Sequence, residues 1–484
     1  MWNFIKNRMT LFPESKIYTS DCEYTYMEII RASELHGLTL KKMVPSGSKC
    51  AILCKNEIYT ALSVLAAWYA GLIVVPLSVN YGTRHCQSIF TLVHPDIVIT
   101  DCLESETQLS STPTYNIISG EISNSFNLTG TTDSSLTDVA AILCTSGTTG
   151  VPKGAVISKR ALKGNVLAIN DYFEICALDN IAIVRPLYHC AVLSGEFLVS
   201  LINGVNIGFC HYKYSPTEII DFCIKKETTV LCGTPTLLRH ISLLARFKKD
   251  RLTVKTLAIS GECLKKEVAA MIRAVFSDSA IYSIYGLTEA SPRVSYLPPC
   301  MFDNYPESVG YPLVGVQIKI MKDGEEVGEN IPGMIMVNSP YVMNGYYNDP
   351  KASRERVDGK WLITGDIGYK DCRGLLYVLS RADDMIIKGG MNIYPAEIEQ
   401  HLEALPEVME CIAYGVVLKW GTGIAVDVVL SNEFLGISKK ELFTLFSTVL
   451  PDYQMPTQIN VVEKLKKNAS GKKVRNENHE DSLL

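Results

Sequence analysis

Ten consecutive residues, Thr145-Ser-Gly-Thr-Thr-Gly-Val-Pro-Lys-Gly154, gather four small hydroxyls, three glycines and one lysine. The segment is suited to holding phosphate. Glycines let backbone N–H groups converge on an anion, the hydroxyls add neutral donors, and Lys153 adds a mobile positive charge. The P-loop of common NTPases needs glycine before its lysine and serine or threonine after it. Here those neighbours are Pro152 and Gly154, so a P-loop ATPase or kinase is disfavoured. A cluster of Ser, Thr and Gly also suits a solvated linker. Strand-like apolar runs on both sides, Val139-Ala-Ala-Ile-Leu-Cys144 and Gly154-Ala-Val-Ile-Ser158, argue against that.

The elements that must position this loop are legible as alternating helix-like and strand-like segments. Residues 57–69 have helical length and spacing, and Leu72-Ile-Val-Val-Pro76 has the short β-branched look of a buried strand. Asp96-Ile-Val-Ile-Thr100, Thr229-Val-Leu-Cys232 and Leu257-Ala-Ile-Ser260 repeat that signal. Such alternation predicts an α/β fold with substantially parallel sheet, its chemistry on loops leaving strand ends. Residues 104–138, rich in Ser, Thr and Asn, read as an exposed connector. Residues 316–337 read as short strands with turns at Asp323-Gly324 and Pro332-Gly333, a smaller β-rich subdomain. Beyond Ser380-Arg-Ala-Asp-Asp384 a fresh set of elements begins, with a helix over 395–402 and a strand over 424–430. The expected division is a large N-terminal domain, 1–380, and a small α+β C-terminal domain, 381–484.

Length and composition agree with this. A chain of 484 residues exceeds one hydrophobic core. With 47% hydrophobic residues, 20% charged and a net charge of −5, nothing points to nucleic acid or an anionic membrane surface. The fifteen cysteines are scattered, without CxxC pairs or zinc spacing, and read as reduced, buried thiols of a cytoplasmic protein. The N-terminus lacks the pattern of a secretory signal. The most apolar stretch, residues 61–77, is interrupted by Gly71 and falls short of a bilayer span of roughly 20 residues, so no membrane span is expected.

The loop closely resembles the signature of the adenylate-forming superfamily: acyl- and aryl-CoA synthetases, adenylation enzymes of non-ribosomal peptide synthesis, and luciferases. Further segments match in the family's order: Pro186-Leu-Tyr-His189, Ser260-Gly-Glu262, Tyr285-Gly-Leu-Thr-Glu289, Thr364-Gly-Asp366, Arg381-Ala-Asp-Asp384, Gly389-Gly-Met-Asn-Ile-Tyr-Pro395 and Asn468-Ala-Ser-Gly-Lys472. The resemblance spans almost the whole chain. It implies activation of a carboxylic acid by ATP and Mg2+ to an acyl-adenylate, with release of pyrophosphate. Transfer to a phosphopantetheine thiol follows, on CoA or on a carrier protein.

Roles carried over by the resemblance are these. Thr145, Ser146, Gly147, Thr148, Thr149, Gly150 and Lys153 hold the β- and γ-phosphates. Glu289 binds magnesium, a hard ion that keeps waters and bridges phosphate, and Thr288 donates to the α-phosphate. Tyr285 lies against adenine, with Gly261, Glu262 and Gly286 bordering the nucleotide. Asp366 accepts the ribose hydroxyls, and Arg381 is a second ribose or phosphate contact. Asp383 is the hinge. Gly389 and Gly390 line the thiol tunnel, where glycine permits close backbone approach. Lys472 bridges carboxylate and α-phosphate in the first half-reaction only, and rotation about Asp383 exchanges it for the tunnel loop. The chain departs from the family at Lys466, where proline is usual, and at Lys473, where an apolar residue is usual, so Lys473 competes with Lys472 for the role.

The resemblance also implies that His189 borders the acyl pocket and gates the carboxylate's approach, a catalytic role, with Cys190, Thr234, Ser260, Gly261, Gly286, Leu287 and Ala290 as the other lining residues. Amino-acid-activating relatives commonly carry aspartate where this chain has Cys190. A buried ammonium without a carboxylate is costly, so an ordinary α-amino acid is disfavoured and an aryl or short-to-medium acyl acid fits best. Glu196 reads as a satisfied structural acid, with a cation elsewhere on a substrate as its alternative partner. A carrier-protein-loading adenylation enzyme is the alternative. A non-catalytic nucleotide-binding protein is a remote one, since Lys153, Glu289, Asp366 and Lys472 are all present.

Overall fold

The computed structural model describes all residues except 80–82, 103–111, 124–135, 146–151, 211–214, 247–250, 385, 389–390, 419–420, 468–472 and 474–484. Ser146, Gly147, Thr148, Thr149, Gly150, Gly389, Gly390 and Lys472 therefore lie outside the described residues.

The chain is α/β, as the alternation predicts. A seven-stranded sheet runs in the order Ile122–Ser123, Thr114–Asn116, Ile97–Thr100, Lys49–Leu53, Ile73–Pro76, Val139–Thr145, Lys153–Ser158. Its interior pairs are parallel and its outermost pairs antiparallel. The helix Glu57–Ala70, buried around almost its whole girth, leads into Ile73–Pro76, so the apolar run is core rather than membrane span. Among the described residues no helix is long and apolar enough to cross a membrane. One expectation fails: the polar stretch 104–138 contains Thr114–Asn116, an extended and fully buried strand paired to Ile97–Thr100. Three residues with a single aromatic give no periodic signal, and tertiary pairing decides their state.

A nine-stranded sheet places Tyr311–Pro312, Arg293–Leu297, Ala280–Gly286, Thr256–Ser260, Val230–Gly233, Asn180–Ile183, Asn206–Phe209, Lys16–Tyr18 and Glu23–Thr25 side by side. Its four central strands, from Ala280–Gly286 to Asn180–Ile183, are mutually parallel. Their carboxyl ends open onto one edge, where doubly wound sheets bind ligands. A six-stranded antiparallel sheet built on Gln317–Lys322, Gly333–Asn338, Trp361–Lys370 and Leu376–Arg381 forms the expected β-rich part. Beyond it, Pro395–Glu403, Lys439–Phe446 and the strands Val408–Leu418, Gly421–Leu430 and Gln458–Val461 enclose a separate hydrophobic core around Ile398, Val426 and Phe446. No disulfide joins any of the fifteen cysteines.

Candidate active site

Four parallel strands end in the residues singled out from the sequence. Thr256–Ser260 delivers Ser260, Gly261 and Glu262; Val230–Gly233 delivers Thr234; Ala280–Gly286 delivers Leu287, Thr288 and Glu289; Asn180–Ile183 leads to Pro186–His189. A strand's last residue is fixed by the ladder, so each following side chain is aimed by its neighbours' hydrogen bonds. Gly286 is required where it stands, since a Cβ there would come within 2.3 Å of the Pro292 carbonyl oxygen.

The phosphate-type loop closes an antiparallel hairpin. Thr145 is in register with Lys153, and its hydroxyl donates to the Lys153 carbonyl at 3.3 Å. Both flanks are strands, as read from the apolar runs. The segment 343–347 is stitched to this hairpin, with Asn344 N–H donating to Val156 O and Val156 N–H to Gly345 O. Met343 N–H donates to the Glu289 carbonyl, tying the same segment to the Thr288–Ala290 turn.

Two acid-centred clusters result. Buried Glu289 accepts the Tyr346 hydroxyl at 2.6 Å, and Arg356 Nη2 lies 3.7 Å from the same oxygen. The Tyr346 ring faces Lys153, whose ammonium is 5.4 Å from its centroid. Burial, then the Glu289 charge, push the Tyr346 hydroxyl far up, so it is a neutral donor across the accessible pH range. In the second cluster Asp366 Oδ2 accepts the Tyr285 hydroxyl at 2.5 Å and Oδ1 takes Arg381 Nη1 at 2.9 Å. Arg381 also donates to the Thr364 carbonyl, and Asp366 N–H to the Thr364 hydroxyl. Gly365 turns with φ 74°, and a Cβ there would lie 2.8 Å from Arg356 Nη1 and 3.0 Å from Arg381 Nη2. Arg356 thus joins the two clusters.

The remaining candidates divide. Glu262 Oε2 accepts both the backbone N–H and the hydroxyl of Thr236, fastening the first turn of helix Pro235–Ala245, while its buried Oε1 has no partner. Thr234 caps the same helix through Leu237 N–H. Cys190 is buried and its thiol is pushed up to about 12 by desolvation, a neutral wall rather than a cation partner. Glu196 is fully buried: its Oε1 is ion-paired to Arg185, which also reaches Ser260 Oγ at 3.4 Å, while its Oε2 has no hydrogen-bond partner among the described residues, so the acid is only half satisfied. Ala290 is fully buried, while Leu287 and Thr288 are half-buried. His189 precedes a short helix, with its ring 4.2 Å from that of Tyr188. Its loop is held by Glu57, whose Oε2 accepts Leu187 N–H at 3.2 Å. Asp383 lies on the Ala382–Asp384 turn after Arg381.

Sequence reasoning missed Tyr346, Arg356 and Glu57. Each meets its partner far along the chain, 57 residues away for Tyr346 and 130 for Glu57, and none lies in a recognisable local pattern. Among the described residues no three His, Cys, Asp or Glu cluster as a metal cage. One buried carboxylate suits Mg2+ that arrives on a nucleotide, since this ion keeps its waters and takes one or two carboxylates plus phosphate. Glu289 fits that need.

Residues 6–347 match the model of the AMP-binding enzyme family, and residues 397–472 match the AMP-binding enzyme C-terminal domain. The feruloyl-CoA synthase of Amycolatopsis sp is 28% identical over 460 residues, covering 94% of this chain and 93% of that protein. The o-succinylbenzoate CoA synthetase of Bacillus subtilis, solved with its acyl-adenylate intermediate, superposes with a TM-score of 0.85 at 27% identity, covering 98% of this chain and 97% of that one. The same enzyme with ATP and magnesium ion gives a TM-score of 0.84 at 27% identity, with 98% of each chain covered.

Proposed function

The chain belongs to the AMP-binding enzyme family, and from that premise we propose an ATP-dependent acid–CoA ligase acting on an aryl or compact acyl acid. A carboxylate oxygen attacks the α-phosphorus of ATP, a P–O bond forms, and pyrophosphate leaves with the electron pair of the broken bond. The thiol sulfur then attacks the acyl carbon, and AMP leaves as the C–S bond forms. Two anions must meet in the first step, so charge neutralisation and in-line positioning dominate. The observation that carries this reading is the pairing of two acid clusters joined by Arg356, Asp366 with Tyr285 and Arg381, and Glu289 with Tyr346 beside Lys153. The first cluster suits ribose, because an ionised carboxylate keeps lone pairs for further O–H donors. The second suits Mg2+ and the phosphates, with Thr145 and Lys153 bounding the loop that grips pyrophosphate.

We assign the bridging lysine to Lys472. Lys473 is committed elsewhere, donating to Glu403 Oε1 and to the Cys411 carbonyl. The domain division near residue 381 and a hinge at Asp383 are part of the same proposal, supported by the separate core beyond that point. For the acid, Cys190 is neutral and Glu196 is ion-paired to Arg185, so neither position favours an α-ammonium, and the named relatives act on ferulate and o-succinylbenzoate.

The test is carboxylate-dependent exchange of labelled pyrophosphate into ATP across aryl, fatty, hydroxy and amino acids, with AMP as the nucleotide product. Release of ADP overturns the adenylation reading. Lys472→Ala abolishes exchange while Lys473→Ala retains it, and the reverse result moves the role to Lys473. Saturable turnover with free CoA supports the ligase; thioester formed only on a holo carrier protein selects the carrier-loading alternative.

A further inference from the structure

Arg356 ends the helix Pro350–Arg356 and begins the hairpin whose second strand carries Thr364, Gly365 and Asp366. Its guanidinium reaches both acid clusters. Nη1 packs against Gly365, and Nη2 approaches Glu289 Oε1 to 3.7 Å, beyond hydrogen-bonding distance. Tyr346 already satisfies that oxygen at 2.6 Å. Nε is buried with no partner. The other site cations are better occupied: Arg381 holds Asp366 and the Thr364 carbonyl, and Lys153 lies over the Tyr346 ring. A half-buried guanidinium whose Nε is enclosed without a partner, facing a carboxylate it does not bind squarely, is costly unless a ligand completes it.

Resting on the ligase reading above, we propose that Arg356 is a further nucleotide-binding residue that donates to phosphate oxygens of ATP. In the free enzyme it neutralises Glu289. When ATP binds, with or without Mg2+, the guanidinium turns from Glu289 to the phosphates, and Glu289 would hold Mg2+ where the ion comes with the nucleotide. The planar fork suits this task, because it pairs with phosphate through two parallel N–H donors where an ammonium offers a point charge. Its place between the ribose-side turn at Gly365 and the metal-side Glu289 is where the nucleotide's phosphates cross from one cluster to the other.

The experiment is calorimetric binding of ATP with Mg2+, ATP in EDTA, and adenosine to the full-length enzyme and to Arg356→Gln and Arg356→Lys. Loss of a charge-assisted phosphate contact weakens ATP about tenfold in the glutamine variant, both with Mg2+ and in EDTA, and leaves adenosine unchanged. Lysine recovers part of the loss. Unchanged ATP affinity in EDTA, with only the Mg2+ complex affected, overturns the proposal and leaves Arg356 as a support for Glu289. An equal fall for adenosine overturns it too, because the effect is then on the shape of the site. If the glutamine variant does not fold, Arg356→Lys decides alone: full ATP affinity in EDTA overturns the proposal. Wild-type enzyme that binds no ATP in either condition defeats the ligase reading itself, a result distinct from all of these.

Discussion

The Tyr346 hydroxyl donates to Glu289 Oε1 across 2.6 Å while the face of the same ring lies 5.4 Å from the Lys153 ammonium. One side chain therefore sets the position of Glu289, the proposed metal-binding carboxylate, relative to Lys153 of the proposed phosphate loop. Tyr346→Phe keeps the ring under Lys153 and deletes only the donor. A hydrogen bond to a charged group is worth about 1.5–3 kcal/mol, so kcat/KM for pyrophosphate exchange falls about tenfold to a hundredfold. Raising Mg2+ recovers part of it if Glu289 has merely lost its orientation. Exchange kinetics at several Mg2+ concentrations check this, and a phenylalanine variant as active as wild type removes the tyrosine from the site.

Asp366 has both oxygens engaged before any ligand arrives, Oδ2 by Tyr285 and Oδ1 by Arg381. Asp366→Asn removes the charge that holds Arg381 and puts a donor where one partner requires an acceptor. Arg381 is partly exposed, so solvent screens the loss and the stability penalty is about 1–3 kcal/mol. Adenosine binding weakens more than the binding of inorganic pyrophosphate, because the defect lies on the ribose side. Thermal melts and two binding titrations separate these effects; equal losses for both ligands contradict the assignment.

How far the sequence spoke depends on the range of the contact. The strands flanking the Thr145–Lys153 loop and those ending at Ser260 and Gly233 were legible because apolar runs, glycines and turn residues lie next to one another in the chain. The α/β class followed from the same local periodicity. Thr114–Asn116 was not, since a three-residue strand acquires its state from Ile97–Thr100. Tyr346, Arg356 and Glu57 were silent for a related reason: a Tyr, Arg or Glu is ordinary surface chemistry until a distant partner buries it. Glu262 shows the opposite effect. The resemblance implies a nucleotide contact there, yet one of its oxygens is fastening Thr236 at a helix start, a role that only tertiary structure reveals.

Glu403 joins the two parts of the chain. Its Oε2 takes Lys265 at 3.0 Å, from the segment just after Glu262, and its Oε1 takes Lys473 at 2.5 Å. Burial alone would raise its pKa; Lys265 and then Lys473 outweigh that and hold it at about 2. The stability it contributes is therefore full above the ordinary carboxylate range and is lost as pH falls through about 2. Lys265→Met cuts only the arm that reaches across. Because Lys473 is next to Lys472, this loosens the orientation that serves adenylation: pyrophosphate exchange drops about tenfold, while thioester formation from synthetic acyl-adenylate and CoA is retained. Measuring the two half-reactions separately tests it, and parallel losses in both show that Lys265 acts on the fold in general.

Glu57 supplies a pH dependence. It sits in the first turn of the core helix Glu57–Ala70 and grips Leu187 N–H, two residues before His189. Burial raises its pKa to about 8; the Leu187 N–H opposes that, and nearby Asp101 adds to it. Between the ordinary value of 4.5 and about 8 the folded protein keeps a proton that the unfolded chain releases. The folded state then binds more protons than the unfolded one, so stability from this group is full below the lower value and is lost as pH rises through the upper one. Glu57→Gln imitates the protonated form and keeps an acceptor for Leu187 N–H. The melting temperature of wild type relative to this variant falls from pH 5 to about pH 8 and levels off above it, and a difference that stays flat over the whole range shows that Glu57 is ionised throughout. Glu57→Ala, which removes the acceptor, frees the Pro186–His189 loop, so KM for the acid rises several-fold while ATP binding is unchanged. That split follows from geometry, because the loop Glu57 restrains borders the proposed acyl pocket and the nucleotide clusters at Asp366 and Glu289 are held by other partners.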